Sequence, residues 1–159
     1  MPRILIIGYG NTLRGDDGFG PLAAEHVAAR APPGVEVMSV HQLGPELALD
    51  IRAADLVVFL DAAHGPDPGR LAAAPVVVHD LSPSSVTHRL DPGGLLALTR
   101  AVYGRVPAAA LVTAIAADFA HGDTISAEVR NAAKKAAEVI VQLAESGHLD
   151  TQTLGEALS

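Results

Sequence analysis

The 159-residue sequence contains no cysteine and no tryptophan, and only 3% of its residues are aromatic. The absence of cysteine excludes disulfides, thiolate metal sites and a cysteine nucleophile. Because aromatic residues are so few, the core must be built from Val, Ile, Leu and Ala, which dominate the 49% of residues that are hydrophobic. Any reactive site must therefore use oxygen and nitrogen side chains.

Basic residues are also scarce, since 11 Lys and Arg face 18 Asp and Glu and the net charge is −7. Without basic patches interleaved with aromatic residues, we do not expect a nucleic-acid partner. The negative charge instead favours a cationic ligand or a basic partner surface. Seven histidines add groups that bind divalent metals and titrate near neutral pH.

Long hydrophobic runs are missing too, because no run approaches the ~20 residues that a membrane span needs. We therefore expect no membrane association. No secretion signal is visible, so we expect a cytoplasmic protein. The length predicts a single domain over residues 1–147, and residues 148–159 are expected to form a frayed C-terminal tail.

Hydrophobic periodicity predicts strands that alternate with helices. The predicted strands are Ile4–Ile7, Val35–Val40, Leu56–Leu60, Pro75–His79 and Ala108–Ile115. The predicted helices are Pro21–Arg30, Gly44–Ala53, Leu95–Tyr103 and a long one that Ser126 caps and that runs to about Glu145. This alternation is typical of an α/β fold with a mostly parallel sheet between helical layers.

Two carboxylates follow buried strands of this predicted sheet. Asp17 lies in the glycine-rich loop after the first strand, and Asp61 follows the aliphatic run LVVFL. Because ligands bind outside the carboxyl ends of strands in open α/β sheets, we predict that both acids face one cleft. Asp16 is interpreted as a loop or capping residue.

Histidines could complete that cleft. His41 ends the second strand, His64 comes three residues after Asp61, and His88 lies in the irregular segment 80–94. Two carboxylates and one imidazole would make an open oxygen and nitrogen metal site. Spacing alone does not show that these groups converge.

Several common site templates fail. Leu13 occupies the position of the third glycine in a dinucleotide fingerprint, and no acid ends the second strand. The Gly-x-Ser-x-Gly elbow of serine hydrolases and the His-Glu-x-x-His of zincins are both absent.

The opening segment, residues 8–20, reads GYGNTLRGDDGFG and is similar to the motif G-x-G-N-x-L-x-x-D-[DE]-G-x-G. With HQL at residues 41–43, PEL at residues 45–47 and the strand that ends on Asp61, it resembles the nickel–iron hydrogenase maturation endopeptidases. These enzymes trim the C-terminal extension from the hydrogenase large-subunit precursor. The resemblance implies a three-layer, phosphorylase/hydrolase-like α/β/α sandwich with a five-stranded, mostly parallel sheet. One strand, which could be Pro75–His79, would be antiparallel.

The resemblance also implies roles for individual residues. It implies a metal site formed by Asp17, Asp61 and His88, catalysis by Asp17 and Asp61, substrate contacts by Gly10, Asn11, His41 and Gln42, and structural roles for Asp16 and Gly18. Nickel would arrive with the substrate, and zinc or cadmium could substitute for it. The expected partner is the large-subunit precursor, bound by a monomer.

Three alternatives stay open at this point. The peptidase mechanism could be of the metallo or the aspartic type, because either a metal or a carboxylate could activate water. The protein could also bind the metallated precursor without cutting it. Finally, the same fold could carry a small-molecule hydrolase or a nucleotide-binding protein, since fold does not determine function.

Overall fold

A five-stranded sheet forms the centre of the computed structural model, which describes residues 2–81 and 90–159. The strands are β1 (Ile4–Tyr9), β2 (Val35–Val40), β3 (Leu56–Ala63), β4 (Leu71–Pro75) and β5 (Ala108–Ile115). Their order in the sheet is β2-β1-β3-β5-β4. Only β4 runs antiparallel to its neighbour, β5, which confirms the predicted mostly parallel sheet.

Helices connect these strands and follow the last one. They are α1 (Phe19–Ala28), α2 (Ala48–Ile51), α3 (Pro92–Tyr103), α4 (Ala127–Glu145) and α5 (Thr151–Leu158), with 3₁₀ turns at Gly15–Gly18 and Pro45–Leu47. Polar side chains cap several of them, as when Ser126 accepts from Val129 N at the start of α4. Gly104 ends α3 in the left-handed conformation that a residue without Cβ adopts most easily.

Apolar side chains cover both faces of the sheet. Along β1, Ile4 and Ile6 pack with α1, α4 and α5, whereas Leu5 and Ile7 pack with α2 and α3. This alternation follows from the two-residue period of a strand, and with both faces covered the buried stretches Ile4–Ile7 and Leu56–Leu60 are apolar throughout. The predicted three-layer α/β/α sandwich is therefore confirmed.

The predicted strand Pro75–His79 is wrong, because β4 lies earlier in the chain and ends at Pro75. Val76 N still donates to Ala109 O at 2.9 Å, but residues 77–79 do not pair with β5. Val76 and Val78 pack on the α2 and α3 side. Here tertiary packing outweighs the β propensity of the valines, because the edge of β5 pairs with the alanine-rich segment instead.

The C-terminal segment 148–159 is ordered, so the predicted frayed tail is wrong. Asp150 and Thr153 form a reciprocal capping box that starts α5. Leu154 and Leu158 are both buried in the core on the α1, α4 and α5 side. The short helix thus covers the β4 end of the sheet.

Other boundaries differ by a few residues from the predicted ones. Helix α1 begins at Phe19 rather than Pro21, and α3 begins at Pro92 rather than Leu95. The predicted helix Gly44–Ala53 is reduced to a 3₁₀ turn and the single turn α2. In the part of the chain that the structure describes, no helix combines the length and the apolar character that a membrane crossing requires.

Candidate functional site

The sheet changes its winding direction between β1 and β3, since the chain passes from β1 to β2 on one side and returns to β3 on the other. Such switch points leave a crevice at the carboxyl ends of the strands, where ligands bind. A cavity of about 300 Å³ lies there. It is lined by Tyr9, Gly10, Asp17, Gln42, Leu43, Asp61, Ala62, His64, Leu90, Asp91 and Phe119.

Two glycines bring the start of α1 close to the strands. A Cβ on Gly8 would lie 2.1 Å from Gly20 O, and a Cβ on Gly20 would lie 2.3 Å from Leu60 O. Both distances are far shorter than atoms allow, so neither position accepts a side chain. This close packing places the loop that carries Asp17 directly over the ends of β1 and β3.

The carboxylate of Asp17 is half-buried and held by the loop backbone. Asn11 N donates to Asp17 Oδ2 at 2.7 Å, and the side chain of Asn11 accepts from Leu13 N at 2.9 Å. Gly10 has φ +150°, and a Cβ there would lie 2.0 Å from Asp17 O. Among residues 2–81 and 90–159, no donor reaches Asp17 Oδ1, so that oxygen is available to a ligand.

Asp16, the neighbouring acid, is fully buried and points away from the cavity into a ring of donors. Its Oδ2 accepts from Ala117 N at 2.7 Å, Asp118 N at 3.1 Å and Ser126 Oγ at 2.9 Å, and its Oδ1 accepts from Ser126 N at 2.7 Å. Burial by itself would raise the pKa of Asp16. The hydrogen bonds outweigh burial and hold the pKa below its ordinary value.

Asp61 lies within β3 rather than after it, because the strand continues to Ala63. The boundary predicted at Leu60 is therefore wrong by three residues. The extension arises because Asp61 pairs with Thr113 on β5, which gives the strand a partner beyond the aliphatic run. Asp61 is half-buried and lines the same cavity as Asp17, as the sequence predicted.

The histidines divide into three cases. His64 lines the cavity, and its ring packs against Phe119 with centroids 4.6 Å apart. His41 is exposed and does not line the cavity. His88 lies outside the described residues, so its role as a metal ligand stays a prediction. Within the described ranges, no group of three His, Asp or Glu side chains is close enough to hold a metal ion.

The four residues predicted to bind substrate occupy different places. Gly10 and Gln42 line the cavity, whereas Asn11 does not line it but donates its backbone N–H to Asp17, and His41 is exposed. Gly18 packs against Ile125, since a Cβ would lie 3.2 Å from its Cδ1.

Six cavity residues were not predicted from the sequence, and Asp91 and Phe119 are two of them. Asp91 caps α3 by accepting from Gly94 N at 2.7 Å, and it lies 3.4 Å from His79 Nδ1. The Asp-Pro pair ahead of an apolar run is a helix-start signal that could have found it. Phe119 follows β5 in a loop without periodicity, and no sequence signal places it at the site.

Solved structures share this fold over nearly the whole chain. The hydrogenase maturation protease HycI from Thermococcus kodakarensis superimposes with a TM-score of 0.76 at 28% identity, covering 91% of this chain and 93% of HycI. The maturating endopeptidase HybD from Escherichia coli gives a TM-score of 0.69 at 25% identity, covering 91% and 94%. The chain is similar to the hydrogenase maturation proteases. This confirms the resemblance predicted from the opening motif.

Curated relatives match over a shorter segment. The hydrogenase expression/formation protein HoxM of Azotobacter vinelandii is 38% identical over 73 residues, which is 44% of this chain and 35% of HoxM. HupD of Bradyrhizobium diazoefficiens is 38% identical over 72 residues, or 43% and 38%. The match therefore spans little more than a third of these relatives. No family model matches the chain.

Proposed function

We propose that this protein is an endopeptidase that removes the C-terminal extension of a nickel–iron hydrogenase large-subunit precursor. The observation that carries the proposal is that Asp17 and Asp61 line one cavity at the switch point of the sheet. The fold around them is shared with HycI over 91% of the chain. We therefore infer the activity from the similarity to hydrogenase maturation proteases, and we assign the catalytic chemistry to Asp17 and Asp61.

The donor set fits a metal ion that arrives with the substrate. Asp17 in the loop after β1 and Asp61 near the end of β3 offer oxygen ligands, and among residues 2–81 and 90–159 no donor reaches Asp17 Oδ1. His88 is the predicted nitrogen ligand. The net charge of −7 adds attraction for a cation. We propose that nickel in the precursor is the recognition signal, and that zinc or cadmium can replace it in binding experiments.

Two routes to hydrolysis are compatible with this arrangement. Asp17 or Asp61 could act as general base toward a water molecule that attacks the peptide carbonyl. Alternatively, the metal could lower the pKa of its bound water, and the carboxylates would then only hold the ion. At about 300 Å³ the cavity lies at the small end of ligand sites, which suits an ion and a short stretch of extended peptide.

The decisive experiment incubates the protein with nickel-loaded precursor and detects the released C-terminal fragment by mass spectrometry. We expect wild type to release it, and Asp17→Asn and Asp61→Asn to lower the rate by at least about 100-fold, the scale of lost acid–base catalysis. Asp50→Asn is the matched control, because Asp50 is exposed and lines a cavity beside Arg3 and Gly34 at the amino ends of the strands.

The outcomes separate the alternatives. A stable, nickel-dependent complex with intact precursor would indicate a binding protein that does not cut. Fragment release that is unaffected by both Asp→Asn changes would show that the reacting groups lie elsewhere. Inactivity toward the precursor combined with hydrolysis of small esters or amides would favour a small-molecule hydrolase.

We further propose that the protein acts as a cytoplasmic monomer. A monomer leaves the cleft rim free for a large protein substrate, and the lack of cysteine suits a reducing compartment. Light scattering during size-exclusion chromatography tests the monomer, and fractionation of native cells tests the compartment.

A further inference from the structure

Strand β2 forms one edge of the sheet, and its outer backbone groups point away from every described strand. Ile4 N donates to Gly34 O and Gly10 N donates to Val40 O, so the even-numbered residues along β2 face β1. Because backbone groups alternate in direction along a strand, the amides of Val37 and Ser39 face outward. Neither has a hydrogen-bond partner among residues 2–81 and 90–159.

The opposite edge of the sheet is protected in the ways natural proteins usually use. There, β4 ends on a proline and α5 covers it, with Gly155 so close to Ala73 that an added Cβ would touch its carbonyl at 3.5 Å. In contrast, β2 has neither proline nor lysine, and its outward positions carry Val35, Val37 and Ser39. Its one charged residue, Glu36, is exposed but directs its backbone groups toward β1, so the outward amides can pair with another extended segment.

An apolar groove of about 480 Å³ runs beside this edge. Val37 and Ser39 form its floor, and α1 forms its wall through residues that include Leu22 and Glu25. At the end nearest the candidate site, the groove reaches Thr12 and Gly18 in the loop that carries Asp17. Side chains of a strand added to β2 would alternate, and those on the α1 side would enter the groove.

We propose that the segment of the substrate precursor next to the scissile bond binds to this edge as a sixth strand. This inference rests on the proposed endopeptidase function and specifies how the substrate is held. Main-chain hydrogen bonds to Val37 and Ser39 give affinity, and the groove selects apolar side chains at alternate positions.

Continuity with the cleft identifies the occupant. The β2 strand ends at Val40, and Gln42, two residues later, lines the cavity that contains Asp17 and Asp61. A peptide paired with β2 therefore runs along the sheet to the end at which the two carboxylates lie. A second copy of the chain would gain nothing from this alignment, so we assign the edge to substrate.

Ser39→Pro tests the proposal, because it removes an outward N–H while leaving the bonds to β1 in place, and an edge strand tolerates proline at such a position. Loss of one hydrogen bond predicts a rise of about three- to tenfold in KM for the nickel-loaded precursor with kcat unchanged. Asp50→Asn changes an exposed residue at the amino ends of the strands, away from the groove, and is expected to match wild type. Circular dichroism checks that both variants fold.

Hydrogen exchange gives a second readout that does not depend on the proline variant. The Asp61→Asn protein is mixed with nickel-loaded precursor, and exchange at single amides is followed by NMR. We expect slower exchange at Val37 and Ser39, while the amides of Glu36 and Met38, which already face β1, stay unchanged.

The outcomes distinguish this inference from the proposed function. If wild type cleaves the precursor but KM and amide exchange do not respond, the edge does not bind substrate and the inference is overturned. If the two amides are protected while wild type releases no fragment, docking at the edge is supported and the endopeptidase function fails. If the protein alone forms a dimer that protects these amides, the edge belongs to a second copy and the inference is overturned.

Discussion

Replacing Asp16 by Asn tests whether two adjacent acids have separate roles. Asp16 is fully buried and accepts four hydrogen bonds that tie the opening loop to Ala117, Asp118 and Ser126. An asparagine of the same shape can keep its oxygen at Oδ2, where three of the donors meet. Its amide group would then face the N–H of Ser126, so one hydrogen bond is lost and the others lose their charge.

The magnitude follows from the strength of these bonds. Hydrogen bonds to charged groups contribute about 1.5–3 kcal/mol each, although their losses do not add fully. We therefore expect Asp16→Asn to lower the free energy of unfolding by about 2–4 kcal/mol. For a chain of this length, that corresponds to a drop of roughly 4–16 °C in Tm. Asp16→Ala leaves every donor without an acceptor and should cost more, about 3–5 kcal/mol.

Asp17→Asn is the matched comparison, because Asp17 is half-buried and accepts a single hydrogen bond, from Asn11 N. We expect it to change the free energy of unfolding by no more than about 1 kcal/mol while abolishing cleavage. Both variants can be measured by urea unfolding followed by circular dichroism. A loss below about 0.5 kcal/mol for Asp16→Asn, or an equal loss for the two variants, would refute the division of roles.

Three further predictions concern stability. Because hydrogen bonds hold the folded-state pKa of Asp16 below its ordinary value, its stabilising effect should be present above about pH 4 and lost as pH falls below that value. The free energy of unfolding should therefore decline between pH 6 and pH 3, and Asp16→Asn should reduce that decline. An equal decline in both proteins would contradict this. Gly20→Ala should lower the free energy of unfolding by at least about 1–3 kcal/mol, since its Cβ would overlap Leu60 O. Gly155→Ala has room for a methyl group and should stabilise α5 by about 0.5–1 kcal/mol, so thermal melts of the two variants should shift in opposite directions. Leu154→Ala should cost about 2–5 kcal/mol by urea unfolding, and a neutral result would mean that α5 does not belong to the core.

Much of the architecture could be predicted from local pattern. The bounds of β2 and β5 were predicted to the residue, as was the start of α4 after the Ser126 cap. These elements have strong periodicity or a clear capping signal, and their side chains meet the surroundings that the pattern implies. The direction of β4 and the helix after Asp150 depend instead on which surface each segment finds, and no local pattern encodes that.

The candidate site likewise has features that local pattern predicts and others that depend on tertiary packing. The glycines and acids of residues 8–20 identify a loop that leaves a strand and carries carboxylates to the sheet edge. The sequence alone could also suggest that Asp61 reaches that edge, since both acids follow buried parallel strands. It could not specify that Phe119 packs on His64, or that Asp91 lines the cavity, because these contacts join residues far apart in the chain.

What the sequence by itself determined is therefore the chemistry: an α/β chain without cysteine, with a glycine-rich loop that presents Asp17 beside a supporting Asp16. What only the tertiary structure decided is the geometry, namely that Asp17 and Asp61 line one cavity and that the outer edge of β2 stays open beside it. The physical reason is that local pattern records which face of an element is apolar. Only packing of the whole chain determines which faces and edges meet and which remain exposed.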